Sequence, residues 1–487
     1  MNSFFPKLAL LAFLSSTLAC SQAAKKTEGY TGLGSESLSP ATVAKYAPPA
    51  ADPATLGKVQ SLLDLRGAGS GLLSTDGKTL FYTTGVTGTS QVWRMDGPLG
   101  FARQMTAGSD RTWLGGLLPN GRDLIVVRDR NGEENPGLFL QSAQGGPLRT
   151  IFQRKGVQAS PAYITNDSRF LYFTANSENP ASDAIHRYDL KDGTSKVVFN
   201  QPGTWAVADV RDDKEFLLVN MTGSLWSEYS LWNPETGELK PLLGQGEKEE
   251  YDVAFGARAG TFLVNTPKFG DFRRLYLMEN GKFTAVTGDV KKDLSSFRID
   301  RARKHVYLGW NDKGYSTLEI LDGRTLKAVP APKAKGADHM YLTNVNRDGR
   351  FALVAVETAT MPRSVYVKDW RTGSFRLWAE PGTPEVDTSR FAKASLESYS
   401  SRDGVQIPMF VRRPARCEPA PCPVVIDFHG GPEGQSMPGF SPYAQAFVDA
   451  GFVFIEPNVR GSDGYGKAWI GADDGPRRLK VITDIED

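Results

Sequence analysis

Only three cysteines and four histidines occur among the 487 residues. Thiols this sparse exclude a disulfide-dense scaffold. Two close cysteines, Cys417 and Cys422, with no histidine nearby make a poor zinc site. No metal and no cofactor is expected. Charge of one sign is lacking too: 57 Lys and Arg face 55 Asp and Glu, a formal net charge of +2. That balance gives no electrostatic reason to expect nucleic acid or an anionic membrane as partner. Long apolar runs are absent beyond the N-terminus, so no later segment is apolar enough to span a bilayer. Helical periodicity is absent across residues 65–381, which excludes a helical solenoid or bundle there.

The N-terminus has the layout of a secretory signal peptide over residues 1–24. Met1 to Lys7 ends in a positive charge, Leu8 to Ala19 is nearly all apolar or small, and small residues follow at Ala23 and Ala24. The protein is therefore expected to be exported, periplasmic or secreted. Leu18-Ala19-Cys20 resembles a lipoprotein cleavage site, with Thr17 where such a site usually has Leu. Two outcomes stay open: cleavage and lipidation at Cys20, which would be the protein's link to a membrane, or cleavage near Ala23. In an exported protein Cys417 and Cys422 are read as a small disulfide loop, with two free thiols as the alternative. Residues 25–64 are rich in Ser, Ala and Pro. They hold one short helix expected after Ser39, the N-cap, and Pro40, the first helical residue.

What is abundant is a repeat. A turn rich in Asp, Asn, Gly or basic residues precedes a short apolar strand beginning at Leu80, Leu124, Phe170, Phe216, Phe262, Val306 and Phe351. The steps are roughly 44 to 46 residues, close to the period of a four-stranded propeller blade. A second feature keeps the same phase. Gly-containing turns such as Asp189 to Gly193, Asn233 to Gly237 and Asp369 to Gly373 close apolar stretches and read as outer hairpins. Seven units predict an all-β seven-bladed propeller over residues 65–388, whose radial closure protects strand edges. Turn geometry accounts for the Asp, Asn and Gly residues in every unit.

The pattern changes after residue 388. Strands are expected at Ser395–Ser401 and Ile407–Arg413. A continuous apolar run, Pro423–Phe428, reads as a strand buried in mid-sheet. His429, Gly430, Gly431 and Pro432 follow it. A helix at Tyr443–Ala450, closed by Gly451, leads to a buried strand at Phe452–Pro457. Strand, helix, strand is the start of a mostly parallel α/β sheet.

Three features in this order resemble the prolyl oligopeptidase family of serine peptidases. They are the Ser401-Arg402-Asp403-Gly404 entry, His429-Gly430-Gly431-Pro432, and Asn458-Val459-Arg460-Gly461 continuing to Gly464-Tyr465-Gly466. The His-Gly-Gly-Pro form is more similar to the acylaminoacyl-peptidase and dipeptidyl-peptidase branch. The resemblance implies that residues 389–487 are the N-terminal part of an α/β-hydrolase domain. It implies an oligopeptide substrate and acyl-enzyme chemistry without a cofactor. In the loop 429–432, glycines let backbone N–H groups approach a substrate carbonyl and stabilise its oxyanion. Arg460 is expected to hold loops by charge-assisted hydrogen bonds. Tyr465 and Trp469 are expected to pack.

An acyl-transfer hydrolase needs a nucleophile, a base and an orienting carboxylate. No Gly-x-Ser-x-Gly occurs in the sequence. Gly434-Gln435-Ser436-Met437-Pro438 has Pro at the last position and precedes a helix rather than joining a strand to one. His429 comes too early to be the base, which follows the nucleophile in this chain order. The catalytic triad is thus absent from residues 1–487, and a continuation beyond residue 487 is expected. The alternative reading is a non-catalytic propeller of the cell envelope that binds peptides or proteins and carries a vestigial hydrolase tail.

Overall fold

A computed structural model describes residues 38–69, 71–382, 385–417, 421–431 and 433–487. The signal segment, Cys20 and Pro432 lie outside the described residues. The chain divides into two units, 1–56 and 57–487. In the first, the helix Pro40–Tyr46 starts where its sequence places it. Ser39 Oγ accepts the Thr42 N–H at 3.1 Å, and no residue of the helix is buried.

The second unit is built mainly of four-stranded antiparallel meanders, at residues 71–104, 112–152, 159–199, 204–243, 252–285, 293–329 and 339–379. The last two are linked into one sheet through the single pair Ser316 and His339. The apolar strand of the repeat is the second strand of each meander. It runs through the interior: Leu80, Leu124, Phe216 and Val306 are fully buried. The polar residues ahead of it bind backbone. Asn120, Asp167 and Asp348 each accept the N–H two residues on, at 2.8, 2.9 and 3.0 Å. Such turns need an acceptor side chain and no metal.

Neighbouring meanders pack face to face. Leu217 and Tyr229 of the fourth share a cluster with Val253, Phe255 and Val264 of the fifth. The first and last meanders also share one, in which Leu73, Leu80 and Met95 meet Phe351, Leu353 and Trp378. The Leu99 N–H donates to the Trp378 carbonyl at 2.8 Å across the same junction. First strands from all the meanders line one cavity of about 580 Å³. This is a β-propeller arrangement, in which stacking hides the sheet faces and leaves only short edges.

Residues 395–487 form a different layer. The strands Ser395–Ser400, Gln406–Arg412, Val453–Pro457 and Val424–Ile426 lie side by side in that order. The three pairings change direction once: Ser395 opposite Val411 and Met409 opposite Pro457 belong to antiparallel pairs, while Val424 opposite Val453 belongs to a parallel one. A parallel neighbour requires a crossover, and the helix Pro442–Asp449 supplies it. Ser441 caps that helix through the Ala444 N–H at 3.1 Å, and Gly451 turns the chain out of it at φ +92°. Ala444 and Val448 pack on Phe454.

One expectation is corrected. The Val424 strand was read as buried in mid-sheet, yet among the described residues it is an edge strand, and Val424 and Ile426 are 51% and 53% exposed. An apolar run signals the two faces a strand would bury; it does not supply the neighbour that covers them.

Candidate functional site

The loop after the Val424 strand is anchored at its start. His429 Nε2 lies 2.8 Å from Ser462 Oγ, and that hydroxyl donates to the Val459 carbonyl at 2.6 Å. With the hydroxyl proton committed, the imidazole must donate through Nε2–H. Ser462 is fully buried, so this Ser–His pair anchors a loop and presents no nucleophile. Gly430 and Gly431 project beyond the anchor. Both are exposed, and neither N–H bonds to another described residue. Gly431 has φ +63°, a left-handed conformation costly for side-chain-bearing residues. The two glycines thus place free amide donors, among the described residues, on an exposed loop at the carboxyl end of a parallel strand.

The segment 458–466 is the buttress of that loop. Asn458 is fully buried. It accepts the Ser436 N–H at 2.7 Å and donates to the Ser436 carbonyl at 3.0 Å, while its amide also reaches Tyr465 Oη at 3.2 Å. Ser436 is thereby locked into the wall. Arg460 is buried and extends its fork to two carboxylates. Nε meets Asp484 at 2.8 Å, Nη1 meets Asp403 at 2.6 Å, and Nη2 closes a further bond to Asp484. These charge-assisted bonds hold the guanidinium above its usual basicity. Arg460 thus ties the Ser401–Gly404 turn to the helix Leu479–Glu486. Tyr465 packs beside Trp469 at 5.9 Å between ring centres. Burial pushes its phenol up to about 12.

Gly461 and Gly466 are fixed by close approach. A Cβ at Gly461 would fall 2.6 Å from the Asp473 carboxyl, and one at Gly466 would fall 2.6 Å from Asp271 Oδ2. The second contact joins the propeller. The Gly466 N–H donates to Asp293 at 3.1 Å, and the Ala468 N–H to Asp271 at 2.7 Å.

Sequence reasoning missed this junction. Arg273 gathers Glu250 and Asp293 at 3.5 Å each, together with Asp463 of the α/β layer. Asn311 reaches Gln435 at 2.7 Å, and His339 Nε2 reaches the Pro438 carbonyl at 2.7 Å. His339, on a propeller strand, thus bridges to the α/β layer. The other two propeller histidines do pack, His186 stacked on Phe173 and His305 on Trp370. Contacts across 99 to 190 residues of sequence leave no local pattern from which to find them. Cys417 and Cys422 are disulfide-bonded, with Cα atoms 5.3 Å apart.

No protein-family model matches the chain. Curated relatives do. Dipeptidyl aminopeptidase BIII of Pseudoxanthomonas mexicana is 22% identical over 444 residues, covering 85% of this chain and 62% of that protein. Prolyl endopeptidase of Elizabethkingia meningoseptica is 21% identical over 327 residues, covering 66% of this chain and 39% of the relative. A solved prolyl endopeptidase superposes with a TM-score of 0.75 at 20% identity, over 89% of this chain and 68% of that one. In sequence and in fold the chain is similar to peptidases of the prolyl oligopeptidase family. It spans about three fifths of the dipeptidyl aminopeptidase's length. It shares its fold with the solved prolyl endopeptidase over the matched residues, and both named relatives are peptidases.

Proposed function

We propose that the chain is the seven-bladed propeller (65–388) and the N-terminal part of the α/β-hydrolase domain (389–487) of an exported serine-type peptidase. It would hydrolyse short peptides through an acyl-enzyme, on the acylaminoacyl-peptidase and dipeptidyl-peptidase side of the family. The observation that carries this is the loop 429–431. It leaves the carboxyl end of a parallel strand with two unpartnered amides, anchored through His429 to a buried hydroxyl. In this reading Gly430 and Gly431 stabilise the oxyanion of acyl transfer. The nucleophile, acid and base of the acyl transfer are, in this reading, not among residues 1–487. The names of the relatives support a peptide substrate, and the closed stack of meanders supports restricted access to it.

The test uses the protein expressed from its uninterrupted gene. It should take up a fluorophosphonate at a serine and hydrolyse a chromogenic dipeptide. Gly431→Val forces a left-handed residue out of its conformation and displaces the amide. It should lower kcat by about 10²-fold with a smaller change in KM. Unchanged kcat in that variant would remove the loop from the mechanism.

A further inference from the structure

The central cavity carries a charge arrangement that the peptidase reading does not use. The first strands of the sixth and last meanders begin against the α/β layer, where Asp293 and His339 make their contacts. At their far ends, Arg301 and Arg347 turn back over the cavity and reach the third meander. Arg347 donates to the Ile164 carbonyl at 2.9 Å and to Asn166 Oδ1 at 2.6 and 3.1 Å. Arg301 reaches the same Ile164 carbonyl at 3.5 Å and stacks over the Tyr163 ring, 4.6 Å from its centre. Two guanidinium groups therefore converge on one neutral oxygen.

Neither makes an ion pair with a described carboxylate. The nearest candidate, Asp213, is engaged by the Tyr163 hydroxyl at 2.5 Å and the Asn166 N–H at 2.9 Å. Of the other charges lining the cavity, Asp209 is paired with Arg303, Asp300 accepts the Lys304 and His305 backbone N–H groups at 2.9 Å each, and Arg298 faces Asp252. Arg301 and Arg347 are the cations of the lining that converge on one acceptor, with the Asp213 carboxylate acting on Arg347 from nearby. Burial, with Arg301 beside it, pushes the Arg347 guanidinium down to about 10. Like charges held together in a partly enclosed mouth are unfavourable until an anion enters, and enclosure strengthens its attraction. Planar guanidinium forks suit a planar or tetrahedral oxyanion.

We propose that Arg301 and Arg347 form an oxyanion-binding site at the cavity mouth remote from the α/β layer. It would take a carboxylate of an acidic peptide or a free phosphate. Its occupation does not depend on hydrolysis, so it stands or falls apart from the peptidase reading.

Calorimetric titration of the full chain tests it, with amidated tri-glutamate, amidated tri-glutamine and inorganic phosphate as probes at fixed ionic strength. Tri-glutamate or phosphate should bind, tri-glutamine should not, and the tighter of the two binders names the source. Arg301→Gln with Arg347→Gln should weaken that binding at least tenfold. Arg347→Lys, which keeps charge and loses the fork, should give an intermediate affinity, and circular dichroism checks that each variant is folded. Absence of binding by both anions, equal binding of tri-glutamine, or unchanged affinity in the folded double variant would overturn the proposal.

Discussion

Replacing Arg460 with methionine is expected to destabilise residues 395–487 by about 3 kcal/mol or more, because it strands a fully buried carboxylate. Asp484 has no solvent exposure, and its partner guanidinium is 6% exposed. The same side chain holds Asp403 on a separate turn, so one substitution unties two segments from each other. Urea unfolding followed by circular dichroism reads the loss. Arg460→Lys should recover only part of it, since a single ammonium cannot reproduce a fork that serves two carboxylates. Pairing Arg460→Met with Asp484→Leu should recover more, because the uncompensated charge is gone. A midpoint unchanged by Arg460→Met would mean that the buried pair contributes nothing to holding this layer.

The second large effect is expected at the junction. Arg273→Ala leaves Glu250, Asp293 and Asp463 facing one another without their cation. It should cost about 3 kcal/mol of coupling between propeller and α/β layer. One cooperative unfolding transition should then separate into two, and limited proteolysis should release a folded propeller fragment. The effect should depend on pH. Burial already raises the Glu250 and Asp293 carboxyls above their ordinary values, with Arg273 opposing the rise. A carboxyl raised in the folded state binds protons more tightly there than in the unfolded chain. Its contribution to stability is therefore full at pH values below its unfolded pKa and is lost as pH rises through the folded one. Without Arg273 the rise grows. The defect should accordingly be largest near pH 8 and shrink towards pH 5. A defect independent of pH would show that Arg273 acts by packing alone.

The repeat was legible because each unit obeys local rules. A turn acceptor such as Asp167 or Asp348 precedes an alternating or continuous apolar strand, and these patterns survive without knowledge of the neighbours. The helix cap at Ser39 and the positive-φ exit at Gly451 belong to the same class. So does the disulfide, since Cys417 and Cys422 are the only thiols in their part of the chain. The anchoring role of Arg460 could be argued from its turn, but not its partners, because Asp403 and Asp484 lie 57 and 24 residues away.

The cross-layer contacts of Arg273 and His339 were invisible for a physical reason. Ion pairs and carbonyl contacts between layers impose no periodicity on either segment. The Val424 strand failed differently. Its composition records the burial it is built for, while its exposure depends on a neighbour that composition cannot supply. The convergence of Arg301 and Arg347 was equally hidden, since each arginine follows its own strand and their shared target belongs to a third meander.

Whether residues 1–487 are the first part of a serine peptidase, as proposed, is decided by reading the nucleotide sequence past codon 487 in all three frames. It should encode a strand that pairs with Val424–Ile426, then a Gly-x-Ser-x-Gly elbow, and then an Asp and a His in that order. A stop with no such elbow in any frame would contradict the proposal and leave a propeller whose function rests on binding.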